Sequence, residues 1–124
     1  MGTHEQRSVT RGEITLRYTA TLSTNGAAPT AAGLTRSDGF GVLVSSGSGV
    51  YTIPLVRGAP ELLEFSGHCL QASYSVDGAC YADLTTNNVA GASPSITFTM
   101  RDADGVAVQP ATGDIIRLKA VVRR

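Results

Sequence analysis

Two stretches of strict alternation constrain this chain more than any other feature. Ile14, Leu16, Tyr18, Ala20 and Leu22 take every second position, with Thr15, Arg17, Thr19 and Thr21 between them. Near the other end Ile116, Leu118, Ala120 and Val122 alternate with Arg117, Lys119, Val121 and Arg123. Successive side chains of a strand point to opposite faces, so each stretch predicts a strand with one face buried and one solvated. No segment carries a sustained helical period.

Shorter runs between them have the same character. Tyr51, Ile53 and Leu55 share one face, and Ile96, Phe98 and Met100 alternate with Thr97, Thr99 and Arg101. Residues 40–44, 80–85 and 106–108 read as further strands, and 65–76 as a long one whose apolar face switches near Gly67, as a bulge there would cause. Pro54 lacks a ladder donor, which places its strand at an edge or turns that position outward. Pro60 followed by Glu61 suits a single helical turn. Asn25-Gly26, Asp77-Gly78 and Asp104-Gly105 mark tight turns, residues 45–49 a Gly/Ser turn, and residues 27–39 a small-residue loop. Fourteen Gly in 124 residues supply this punctuation. The sum is an all-β chain, a single-domain β-sandwich or jelly-roll-like barrel of about seven or eight strands. Residues 13–124 form the domain. Residues 1–12 are polar and unpatterned and read as an N-terminal arm.

Ten basic and ten acidic side chains balance to zero. That balance argues against nucleic acid as a partner, because phosphate binding needs a clustered basic surface. No apolar run nears the roughly 20 residues a membrane helix needs, and the N-terminus has no apolar signal core. These features predict neither a membrane partner nor export, and a chain made in a cytosol. The outward strand positions carry Thr where a free monomer usually places edge-blunting charge, a surface suited to packing against copies of itself or a larger assembly.

Chemistry-bearing constellations are sparse. With Asp77-Gly78 as a two-residue turn, Cys80 lies opposite Ser75 and Cys69 lies much farther along the ladder, so both cysteines read as buried small apolar residues rather than a disulfide. His68 and Cys69 are strand neighbours on opposite faces and do not form a base–nucleophile pair. No His/Cys pair has zinc spacing, and Asp102-x-Asp104-Gly105 fits a hairpin turn better than the start of a calcium loop. We expect no catalytic residue, cofactor or metal, and hence no enzyme. The seven aromatics fall mainly on apolar faces, as core packing requires, and there is no Trp to stack on a sugar.

Three stretches carry a family resemblance. Gly47-Ser48-Gly49-Val50-Tyr51-Thr52-Ile53-Pro54-Leu55 is similar to a Gly-x-Gly-x-Tyr-Thr strand of small bacteriophage virion proteins. Ala59-Pro60-Glu61-Leu62-Leu63 resembles their Leu-rich turn, and Ala111-Thr112-Gly113-Asp114-Ile115-Ile116-Arg117-Leu118, running to a basic end at Arg123-Arg124, resembles their C-terminal strand. The chain thus resembles capsid decoration, or cement, proteins over residues 35–124. The resemblance implies a non-enzymatic structural component on the capsid surface of the virion, made in the host cytoplasm. Its partners would be the major capsid protein and copies of itself, with a homotrimer favoured. Arg7 and Arg11 in the arm would then be partner contacts meeting acidic groups of the shell. Two other readings stay open: a tail- or fibre-associated virion module, and a small carbohydrate-binding β-sandwich.

Overall fold

The structure is a computed structural model that describes residues 6–7, 12–23, 33–70 and 80–124. Nine strands account for most of these: β1 (Gln6–Arg7), β2 (Glu13–Thr21), β3 (Leu34–Asp38), β4 (Val44–Gly47), β5 (Val50–Pro54), β6 (Glu61–Leu70), β7 (Cys80–Asn88), β8 (Ser95–Arg101) and β9 (Ile115–Arg123). There is no α-helix among the described residues. All pairings are antiparallel, in the order β1-β2-β9-β6-β7-β8-β5-β4, with β3 also on β2. The all-β expectation therefore holds. The hydrogen bonds draw one continuous curled sheet; they do not divide it into the two sheets of a sandwich or jelly roll.

The alternation of β2 and β9 dictates their partnership. Ile14 faces Val122, Leu16 faces Ala120, Tyr18 faces Leu118 and Ala20 faces Ile116, and all eight are buried. On β5 and β8, Tyr51 lies opposite Phe98 and Ile53 opposite Ile96, and these four are fully buried. The Tyr51 and Phe98 rings stack at 5.7 Å. Phe65 of β6 meets Phe98 from across the core at 5.4 Å, which holds the two arms of the curl together. Burial of aromatic and branched side chains from facing strands is the main stabilising term.

The sheet also meets itself on its far side. Phe40, just beyond β3, bridges Leu55, just beyond β5. Gly41 donates to the Pro54 carbonyl at 2.7 Å and Val56 to the Gly39 carbonyl at 3.0 Å. Pro54 is therefore not on an edge strand, since β5 lies between β8 and β4. β4 pairs with β5 only as far as Thr52, so the Pro54 nitrogen lies beyond that ladder.

Several boundaries differ from the sequence reading. Residues 34–38 form β3 rather than loop: Leu34, Thr35 and Arg36 are exposed, so the strand carries no apolar period and is held by its ladder to β2. Residues 61–63 join β6, not a helical turn, because β9 offers them a ladder partner. The bulge falls at Leu63, between Leu62 and Glu64, and not at Gly67. Phe40 makes one bridge rather than starting a strand, and β4 runs into the span expected to be turn. The β4–β5 turn is the pair Ser48-Gly49, with φ of 55° and 83°, the two left-handed residues that a tight hairpin favours. Asp104-Gly105 turns as expected, with the Asp102 carboxylate accepting from the backbone N–H of Asp104 and Val106. Asp77-Gly78 lies outside the described residues.

Candidate functional site

The outward faces of β3, β2, β9 and β6 line up in two rows. One runs Asp38, Arg17, Lys119, Ser66 and the other Arg36, Thr19, Arg117, His68. The alternation that sends Tyr18 and Leu118 into the core sends these side chains to the opposite face. Between the rows is a shallow groove of about 330 Å³, lined by Arg17, Arg36, Ser66, His68, Arg117 and Lys119 among others.

The charge in this groove is lopsided. Arg17 of β2 stands directly opposite Lys119 of β9, an arrangement that is destabilising by itself. Compensation comes from the margins. Arg36 pairs with the buried Asp38 carboxylate, and Lys119 lies 3.6 Å from Glu64. Arg117 and His68, paired across β9 and β6, are both exposed. Among the described residues, three guanidinium groups and an ammonium on this small face stand beside two carboxylates, Asp38 and Glu64. Planar guanidinium forks match carboxylate, sulfate or phosphate oxygens two at a time, which is the chemistry such side chains can offer an anion.

The residues singled out from sequence fall elsewhere. Arg7 lies in β1, its backbone opposite Ile14 on β2, while Arg11 lies outside the described residues. His68 does point away from Cys69, as strand geometry requires, and it joins the basic face. Arg17, Arg117 and Lys119 were recognisable as outward positions of alternating strands. Their assembly was not, because it depends on β2 pairing with a strand nearly the whole chain away.

The cysteines require a correction. Cys69 and Cys80 are both buried and both free, as expected, but they sit directly opposite each other on β6 and β7. Cys80 thus faces Cys69 and not Ser75, the partner expected from a two-residue turn at Asp77-Gly78. A hydrogen bond from Cys69 to Cys80 and burial push the Cys69 thiol up, whereas accepting that bond draws the Cys80 thiol down.

Other features give little chemistry. No group of three or more His, Cys, Asp or Glu is placed to hold a metal among the described residues. No helix there is long and apolar enough to cross a membrane. Among the described aromatics Tyr81 alone is exposed; Tyr18, Phe40, Tyr51 and Phe98 are core. No known protein family, curated protein or solved structure matches the chain.

Proposed function

We propose that the protein is a non-enzymatic structural component of a bacteriophage particle, a capsid decoration or cement protein. In this reading the basic face of β2, β9, β6 and β3 docks on acidic groups of the major capsid protein and braces the head. The observation that carries it is the row that sets Arg17 against Lys119 beside exposed Arg117 and His68. A chain of zero net charge that concentrates cations on one rigid sheet face, at a cost in cross-strand repulsion, is fitted to an anionic partner. Arg7, on the β1 extension of the same sheet, and Arg11 would add to that contact.

A second surface suits contacts between copies. β4 ends the strand order, and Val42 and Val44 beside that edge are exposed. Open edges with apolar neighbours are usually covered in an assembled state. A homotrimer packed through this edge would leave the basic face of each copy free for the shell.

The test is binding of purified protein to purified heads, followed by sedimentation. Wild-type protein should bind in stoichiometric ratio to capsid subunits and weaken as salt rises, since exposed ion pairs are screened. The double substitution Arg117→Glu, Lys119→Glu should lower affinity by tenfold or more, on the order of the charge complementarity involved, with an unchanged circular dichroism spectrum. Heads lacking the protein should release DNA at a lower temperature. Association with isolated tails only, wild-type binding by the double variant, or preferential binding of glycans would each overturn the reading.

A further inference from the structure

Cys69 and Cys80 lie where the curled sheet turns from β6 to β7. Among the described residues β6 and β7 pair only through His68 with Tyr81 and Cys69 with Cys80. Toward its start β6 pairs with β9 alone, and toward its end β7 pairs with β8 alone. One of these two described pairs across the corner of the sheet is a pair of thiols. Both cysteines are buried, at 5% and 8% exposure. Behind them Gly67 lies close against Ala82, so the strands cannot drift apart there without opening the core.

Directly opposed residues of an antiparallel ladder have Cβ atoms about 4.5–5.5 Å apart, and a disulfide needs about 3.5–4.5 Å. Side-chain rotation and a small approach of the strands close that difference. From this juxtaposition we infer that Cys69 and Cys80 form a two-electron redox site, whose oxidation by a peroxide makes an intrachain disulfide stapling β6 to β7 at the corner of the sheet.

The chemistry balances as follows. The Cys80 thiolate attacks hydrogen peroxide, the O–O bond breaks, and a sulfenic acid and hydroxide result. Cys69, its proton passing to that hydroxide, attacks the sulfenic sulfur; the S–S bond forms, the S–O bond breaks, and the departing hydroxide takes up the proton that Cys80 released on ionising, leaving as water. In sum two thiols and one peroxide give one disulfide and two waters. The hydrogen bond in which Cys69 donates to Cys80 favours Cys80 as the first thiolate. A small neutral peroxide suits a pair with so little exposure. Cys69, in register on the next strand, is in place to resolve the sulfenic acid before further oxidation.

The experiment uses the full chain, reduced and then exposed to excess hydrogen peroxide. Intact mass should fall by about 2 Da, both thiols should become unreactive to a maleimide in denaturant, and both changes should reverse with a reductant. Closing the 12-residue span from Cys69 to Cys80 should raise the unfolding temperature by on the order of 10 °C. Cys69→Ser should instead leave Cys80 to gain oxygen or to cross-link between chains. Two free thiols persisting after peroxide, oxygen-gain masses on wild-type protein, or disulfide-linked dimers as the main product would overturn the inference. Because the wild-type measurements stand alone, a variant that fails to fold does not blunt the test.

Discussion

Replacing Gly67 by Ala separates two physical accounts of one residue. Gly67 has no positive φ, so on backbone conformation alone Ala would be tolerated or would stabilise by about 0.4–1 kcal/mol through the unfolded chain. In the structure Gly67 is a point of close approach instead. A Cβ there would lie 2.6 Å from Leu118 Cδ2, 3.0 Å from the Ala82 Cβ and 3.0 Å from the Arg117 carbonyl oxygen. Carbon atoms in good contact sit about 3.5–4.0 Å apart, so the overlap with Leu118 is close to 1 Å. Leu118 is only 3% exposed and has little room to rotate away. The Ala82 and Arg117 atoms move only if β7 or β9 moves. Overpacking of this kind costs about 1–3 kcal/mol, which outweighs the entropic gain. We expect a net loss of about 1–2 kcal/mol, read as a lower denaturant midpoint at unchanged slope. Adding Ala82→Gly should recover part of the loss, because the two sites share one contact. A Gly67→Ala protein as stable as wild type, or more so, would refute the reasoning.

Two further outcomes follow from the core. Tyr18 and Tyr51 are pushed up to about 12 by burial, with the Gln109 hydrogen bond pulling Tyr51 partly back. The neutral phenol is favoured in the fold, so this stability is fully present below about pH 10 and is lost as pH rises through 12. Ultraviolet titration should therefore show Tyr18 and Tyr51 ionising late and together with unfolding; all four tyrosines ionising near pH 10 in folded protein would contradict it. Gln109 accepts from the Gly49 N–H at 2.7 Å and donates to the Tyr51 hydroxyl at 2.9 Å. Gln109→Ala should cost about 1–3 kcal/mol in urea unfolding and raise the Tyr51 pKa further, since two polar groups lose partners.

What could be read from the sequence was the part in which local pattern and tertiary demand agree. The periods of β2 and β9 identified both the buried face and the outward Arg17, Arg117 and Lys119. β3 was missed because an exposed strand held by ladder bonds need not alternate. Residues 61–63 were misread because a proline and a glutamate are a local helix signal, whereas β9 provides a non-local partner. The cysteines were misplaced for the reason that a turn dipeptide is only one of several ways to connect two strands. The basic face was hidden for the most general reason: it exists only once β2 lies beside β9.

That same adjacency bears on how the chain comes into being. β9 is the last of the nine strands in chain order, yet it occupies an interior position, flanked by β2 and β6. During synthesis the first eight strands leave the ribosome while the long edges of β2 and β6 still await a partner. A nascent chain halted before Ile115 therefore carries two unsatisfied edges and an open core, the features that recruit chaperones or lead to aggregation. Closure of this sheet waits on β9, across a large sequence separation from β2, and its folding should be correspondingly slow.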